Sequence, residues 1–313
     1  MKVLLTGGAG FIGSWVAEKY LEKGFDVIVV DNLSTGKKEF VPKDAKFYQI
    51  DIKDKEKMEK IFKENKIEIV NHHAAQASVN FSIKEPYEDF LNNIYGSMIL
   101  LELSKKYGIS KFIFASTGGA IYGEPFKNPV SEDDGLNPIS PYAFSKMIFE
   151  KYLDYYYKFF KINFVSLRYG NVYGPRQNPL GEAGVIAIFS YRMLKNEDCY
   201  IYGDGEQVRD FVYVDDVVEA NLKATELLLK NDNVSIKINI GMGRPISINE
   251  VFKILAEKIN YKKKPIYAPK REGEVYKIYL DIKKAKEILK WEPKISFEKG
   301  IEKVIEYFKN EGN

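Results

Sequence analysis

Tyr142 and Lys146 stand four residues apart where the chain reads as the start of a helix, so their side chains share one face. A phenol with its ordinary pKa of about 10 is a poor base at neutral pH. An ammonium beside it favours the phenolate, and a fall of ~3 units requires about 4 kcal/mol of differential stabilisation. One close charge at an effective dielectric near 20 supplies roughly that amount before desolvation. Such a pair can take a proton and give it back. Tyr-x-x-x-Lys is common in a chain with 22 tyrosines, so its surroundings must decide its meaning. A further hydroxyl stands at the end of the preceding strand, as Ser116 or Thr117 in Ser116-Thr117-Gly118-Gly119-Ala120-Ile121-Tyr122-Gly123. Local turn hydrogen bonding is the other reading of those two residues.

A second constellation opens the chain, in Thr6-Gly7-Gly8-Ala9-Gly10-Phe11-Ile12-Gly13. Glycine is needed where a turn is tight, where backbone nears a pyrophosphate, and where helix packs on strand. The helix start then offers unpaired N–H groups and a positive dipole end to phosphates. Asp31, just past the second strand, suits adenosine ribose hydroxyls and repels a 2′-phosphate, which favours NAD over NADP. The positive nicotinamide ring would add to the stabilisation of a Tyr142 phenolate. Asp51-Ile52 follows the third strand, where an adenine could meet a carboxylate and an apolar face; the alternative for Asp51 is a helix cap.

These residues need a scaffold, and the first half of the chain supplies alternating strands and helices. Strands are expected over Lys2–Thr6, Asp26–Val30, Lys46–Gln49, Glu68–Asn71, Lys111–Ala115 and Asn163–Leu167, with a last one at Ile236–Ile240. Helices are expected over Phe11–Lys23, Lys53–Glu64 and Pro86–Tyr107, and from Pro141, capped by Ser140, through Phe160. The alternation predicts an α/β fold, a Rossmann-type doubly wound parallel sheet. Residues 1–170, completed by roughly 211–241, form the expected NAD-binding domain. Residues 171–210 and 242–313, with helices such as Ile248–Lys258 and Lys283–Leu289, form a smaller C-terminal α/β domain for the substrate.

Composition narrows the field. A net charge of +3 from interspersed Lys and Glu argues against nucleic acid or membrane partners. The single cysteine, Cys199, excludes an internal disulfide, and two adjacent histidines without cysteine partners argue against a metal site. The start of the chain lacks the apolar stretch of a secretion signal, so a cytoplasmic protein is expected.

Together the glycine turn, Asp31-Asn32-Leu33-Ser34-Thr35-Gly36, His73-Ala74-Ala75, Tyr142-x-x-x-Lys146, Arg168-Tyr169-Gly170-Asn171-Val172-Tyr173-Gly174-Pro175 and the run from Gly203 to Val217 resemble the extended short-chain dehydrogenases acting on nucleotide sugars. Within that family the chain is most similar to UDP-glucose 4-epimerases, and the resemblance runs from Lys2 to about Tyr307. It implies a homodimer formed by the Pro86–Tyr107 and Tyr142–Phe160 helices, and an isomerase with catalytic NAD and a UDP-sugar substrate. Gly7, Gly10, Phe11, Ile12, Asp31, Asn32, Asp51 and Ile52 would hold NAD, with Ala74, Asn93, Lys146 and Tyr169 at its nicotinamide end. Asn171, Arg209 and Arg271 would take the diphosphate and Glu274 the uridine ribose, while Tyr142 exchanges the proton on the sugar O4.

The pattern also departs from the family. Many epimerases carry the catalytic hydroxyl at the position of Gly118, so Thr117, then Ser116, is the nearest replacement. Ile278 falls where epimerases border the sugar 2-substituent and leaves open glucose-type, N-acetylhexosamine and hexuronate substrates. Dehydratases on this fold need an Asp-Glu pair after the threonine, where this chain has Gly118-Gly119. Decarboxylases also expect an acid there, and deoxysugar reductases usually prefer NADP, which Asp31 opposes. A non-enzymatic NAD-sensing regulator would tend to lose Tyr142 or Lys146.

Overall fold

The structure is a computed structural model describing residues 1–180 and 184–311. Residues 181–183, 312 and 313 of the expected second domain lie outside the described residues. Seven strands form the main sheet: β1 (Lys2–Thr6), β2 (Asp26–Asp31), β3 (Lys46–Gln49), β4 (Ile69–His72), β5 (Lys111–Thr117), β6 (Asn163–Tyr169) and β7 (Ser235–Ile240). They lie in the order β7-β6-β5-β4-β1-β2-β3, with β1 parallel to both β2 and β4. This is the doubly wound Rossmann arrangement, whose ligands bind at the carboxyl ends of strands beside the switch point. The near-continuous apolar runs of β1 and β2 are buried, as strands covered on both faces must be.

Two compact units result. The first comprises residues 1–117, 138–168 and 218–238, and the second 118–137, 169–217 and 239–313. In the first, α1 (Phe11–Glu22) follows β1, and α2 (Lys55–Glu64) starts where the Asp54 carboxylate accepts from the Lys57 amide. Pro86–Phe90 leads through a π-helical turn, Leu91–Tyr95, into α3 (Gly96–Lys106). The long α4 (Pro141–Phe160) has the expected Ser140 cap, whose hydroxyl accepts from the Ala143 amide at 3.3 Å. Its core-facing side meets β5 through Phe149 against Phe114, with ring centroids 4.7 Å apart. The Glu150 carboxylate accepts from Nε and one terminal nitrogen of Arg168 and from the Ser166 hydroxyl, a buried ion pair.

The second unit is built from short pieces. Asn171–Tyr173 pairs with Phe211–Tyr213, Val208–Arg209 with Ile246–Ser247, and Tyr200–Tyr202 with Ile266–Ala268. Helices Val185–Leu194, Ile248–Ile259 and Phe297–Glu311 pack on one another. Tyr173, Phe211 and Phe297 form its aromatic centre. Among the described residues, no helix is long and apolar enough to cross a membrane.

Candidate active site

The glycine turn is a backbone cradle. Gly7 has φ of +71°, and a Cβ there would come within 2.6 Å of the Ala74 amide nitrogen. Only glycine fits so close an approach between the loops after β1 and β4. A Cβ on Gly13 would overlap the Gly7 carbonyl, so α1 packs directly on the turn. Gly10 caps α1 with no side-chain hydrogen bond, and no acid stands in the first turn. The leading N–H groups, from Phe11 and Ile12 onward, are thus uncontested by a side-chain cap, as a pyrophosphate site needs. Asp31 is held above this turn by the amides of Ala9 (3.0 Å) and Leu33 (2.8 Å), with lone pairs left for ribose hydroxyls.

Asn32 donates to Asp51 at 3.0 Å, and Asp51 accepts from the Lys53 amide at 2.9 Å. Asp51 therefore closes a turn before α2, and the cap of that helix is Asp54. Ile52 lies in the core, close enough to Gly96 that a Cβ there would sit 2.8 Å from it. The loop after β4 is set by a buried polar chain. Ser97 donates to the Asn93 carbonyl, so it accepts from Nε2–H of His72, whose Nδ1 then accepts from Thr6. Thr6 in turn accepts from the Ala74 amide. Burial holds His72 well below its ordinary pKa, so it stays neutral in this chain.

The proton-transfer group gathers at the end of β5. The Thr117 hydroxyl stands beside Tyr142, whose phenol burial pushes up to about 12; that hydroxyl pulls it down, and the Asp89 carboxylate adds to the rise. Lys146 lies one turn further along α4, its Nζ 5.8 Å from the centre of the Tyr142 ring. It donates to the Ala115 carbonyl at 2.8 Å, and burial pushes it down to about 8 against the pull of Asp89 and Glu150. The expected lowering of the phenol by Lys146 is not what the structure shows: burial dominates, and Thr117 is the group that favours the phenolate. Ser116 points its hydroxyl into the interior without a hydrogen-bond partner. Of the two candidate hydroxyls, the structure brings Thr117 to Tyr142.

In the second unit, the Tyr169 carbonyl accepts from the amides of Gly118 (2.7 Å) and Gly119 (3.2 Å), which tethers the turn after β5. A Cβ on Gly119 would stand 3.3 Å from Oδ1 of Asn171. Glu274 bridges two arginines, with Oε2 3.8 Å from Arg209 and Oε1 3.7 Å from Arg271. Arg209 also donates to the carbonyls of Val208 and Tyr276, and Arg271 lies 3.9 Å over the Tyr202 ring. Two guanidiniums sharing one carboxylate keep donors free for a diphosphate. Ile278 is buried, so it presents no open face.

The NAD dependent epimerase/dehydratase family matches residues 3–241. The chain belongs to this family. The fold is similar to a Thermotoga maritima UDP-glucose 4-epimerase solved with UDP-glucose, at TM-score 0.96 and 53% identity over 100% of both chains. It is similar too to a Thermus thermophilus UDP-glucose 4-epimerase solved with NAD, at TM-score 0.92 and 44% identity over 99% of both chains. A UDP-glucose 4-epimerase of Mycolicibacterium smegmatis is 37% identical over 99% of each sequence. The protein is accordingly an NAD-dependent isomerase of the extended short-chain dehydrogenase type, on the UDP-glucose 4-epimerase-like branch.

Asn93, expected at the nicotinamide end of NAD, is built into the loop after β4, whereas Asp89, Asp210 and Tyr202 were not singled out by sequence reasoning. Asn93 gives its amide to the loop after β4, donating to the Gln76 carbonyl (2.8 Å) and accepting from the Gln76 amide (2.9 Å). It also donates to Asp89 at 2.8 Å, so it holds that loop rather than standing free. Asp210 binds the amides of Met242, Gly243 and Leu280, and burial pushes its carboxyl up to about 6 against those three bonds. Tyr202 underlies Arg271. A signal existed for Asp89, which precedes Asn93 by four on a helix; none existed for Tyr202, whose partner is remote in sequence.

Proposed function

We propose that this protein interconverts the C4 epimers of a UDP-hexose of the UDP-glucose/UDP-galactose type, through a transient 4-keto sugar. The observation that carries the reading is the placement of the Thr117 hydroxyl beside the buried Tyr142 phenol at the end of β5, followed by two glycines. Tyr142 takes the proton from O4 and returns it, and the Thr117 hydroxyl donates to the phenolate oxygen while the charge is present. Bound NAD supplies reversible hydride acceptance at C4. The amides of the Gly7–Ile12 turn hold its pyrophosphate, Asp31 its adenosine ribose, and Asn32, Asp51 and Ile52 flank its adenine. Lys146, with two N–H donors beyond the Ala115 bond, serves the other ribose together with Ala74 and Tyr169, while Asn93 acts through the loop it holds. Arg209, Arg271 and Asn171 take the diphosphate, and Glu274 releases the arginines to them and turns to the uridine ribose. Apart from Tyr169, the residues assigned to NAD belong to the first unit, and those assigned to the UDP moiety belong to the second.

Gly118-Gly119 offers no group to expel a 6-hydroxyl, which disfavours dehydration. The test is incubation of the purified protein with UDP-glucose, UDP-N-acetylglucosamine or UDP-glucuronate, without added cofactor, following C4 configuration by NMR. The C4 epimer of UDP-glucose without net NADH is expected. Loss of water or carbon dioxide would overturn the reaction, and preference for another sugar would overturn the substrate.

A homodimer belongs to the same proposal. On α4 the Tyr156 ring turns inward, but Tyr155 and Phe159 remain 49% and 57% exposed, and Tyr87 and Phe90 are exposed as well. Exposed aromatic pairs of this kind, Tyr155 with Phe159 and Tyr87 with Phe90, suit an interaction face. A reducing, cytoplasmic setting suits the lone Cys199.

A further inference from the structure

Asp89 is buried to 1% exposure in the short helix before the π-helical turn. Its carboxylate accepts from the Ser145 hydroxyl at 2.5 Å, from Asn93 at 2.8 Å and from Gln76 at 3.0 Å. These three neutral partners come from α4, the π-helical turn and the loop after β4. They satisfy the oxygen lone pairs, but they do not neutralise the charge, and an uncompensated buried carboxylate is costly. The other buried carboxylate of this region, Glu150, is matched by Arg168. Among the described residues Asp89 makes no such ion pair, and the cation that acts on it is Lys146.

Lys146 is in the mirror situation. Its ammonium is buried over the Phe114 ring and donates to the Ala115 carbonyl, with no carboxylate in contact among the described residues. A direct salt bridge would pin that ammonium and occupy its donors. A carboxylate held one residue away, through Ser145, favours the charged lysine while leaving its N–H groups for a ligand. We propose that Asp89 is a positioning residue of the catalytic pair: it ties Ser145, Asn93 and Gln76 to one point and supplies the negative charge that keeps Lys146 an ammonium without touching it. The inference rests on the catalytic roles proposed above for Tyr142 and Lys146.

Charge and hydrogen bonding can be separated. In Asp89→Asn the amide oxygen still accepts from Asn93 and Gln76, and the Ser145 hydroxyl can turn to accept from the new N–H. Removing one negative charge lowers the pKa of every group it faces. Tyr142 and Lys146 both face it; Glu150 also faces Lys146, and His72 and His73 feel Lys146 but stay neutral through burial. Both limbs of the pH–activity profile, the acid one requiring the Tyr142 phenolate and the alkaline one the Lys146 ammonium, should therefore move to lower pH. The displacement is on the order of half a unit, about threefold in proton affinity, as suits a charge beyond direct contact.

The experiment compares pH profiles of kcat and kcat/KM for UDP-glucose in the NAD-loaded enzyme and in Asp89→Asn, Gln76→Lys and Ser145→Ala. Gln76→Lys adds a cation from a partly exposed position and should move both limbs the same way, which keeps the test alive if Asp89→Asn does not fold. Ser145→Ala keeps the charge and should lower kcat with the limbs in place. A second readout needs no turnover: the phenolate absorbance of Tyr142, taken as the difference from Tyr142→Phe in the same background, should titrate at lower pH in Asp89→Asn. Unmoved limbs and an unmoved phenolate midpoint in Asp89→Asn and Gln76→Lys overturn the proposal, as does Ser145→Ala moving the limbs equally far. A wild-type protein that fails to epimerise sinks the functional reading instead, and the phenolate titration still decides the role of Asp89.

Discussion

Thr117→Val tests the proton-transfer group most directly. Valine keeps the branched shape of a residue that is buried at the end of β5 and removes only the hydroxyl that favours the Tyr142 phenolate. Burial already pushes that phenol up to about 12, so each group favouring the phenolate matters. A hydrogen bond to a charged acceptor contributes about 1.5–3 kcal/mol. At about 1.4 kcal/mol per unit, its loss raises the phenol by about 1–2 units. Well below the phenol midpoint, the phenolate population falls about 10–100-fold and kcat falls with it. The acid limb of the pH profile should move to higher pH by the same 1–2 units, roughly, so the deficit shrinks at alkaline pH. KM should change little, because the proposed nucleotide contacts lie elsewhere. The assay is steady-state conversion of UDP-glucose at several pH values, with Ser116→Ala as the companion. A kcat within about threefold of wild type and an unmoved limb would refute the reasoning. So would a larger loss in Ser116→Ala, whose hydroxyl has no partner.

Lys146→Met should abolish activity and stabilise the ligand-free protein. Burial pushes the lysine from 10.5 down to about 8, so below pH 8 the folded chain carries a cost of about 3 kcal/mol that fades as pH rises toward 10.5. Less about 1 kcal/mol for the Ala115 hydrogen bond, the net gain near neutral pH is about 2 kcal/mol, read as a higher Tm; an unchanged or lower Tm would count against it. Gly13→Ala forces a Cβ onto the Gly7 carbonyl, and should cost about 1–3 kcal/mol and most NAD affinity; calorimetry and NAD titration check both. Tyr155→Glu with Phe159→Glu should give a folded monomer in sedimentation, since both rings are exposed; a dimer unaffected by the pair would place the interface elsewhere.

Spacing was enough for the parts whose requirements are local. A tight turn between strand and helix can be recognised from its glycines because the missing Cβ is itself the requirement, at Gly7 against Ala74 and at Gly13 against the turn. Ser140 before Pro141 announced α4 for the same reason, since a cap bonds a backbone amide three residues on. Local rules also misplace boundaries: α2 begins at Lys55, because the turn at Asp51 consumes the Lys53 amide and Asp54 caps the helix. The expected Pro86–Tyr107 helix contains a π-helical turn carrying Asn93, which helix propensity does not encode. The last helix, Phe297–Glu311, was not among the expected elements, although its Phe297, Ile301, Val304 and Phe308 recur at helical spacing and are all buried.

The residues that tune the chemistry followed a different logic. Tyr142 and Lys146 share a face of one helix, so their spacing revealed them as a pair. The choice between Ser116 and Thr117 depended on which side chain of β5 faces α4. Asp89 meets Ser145 across 56 residues of sequence, and Arg271 meets Tyr202 across two strands of the second unit. Desolvation settled the ionisation of the pair in the protein alone, and burial is a property of the packed chain rather than of any segment. The amino-acid order thus specified which groups exist and which local turns hold them. Their partners, their burial and their proton affinities arose only when distant segments packed together, because Coulomb and desolvation energies depend on distance through space and not along the chain.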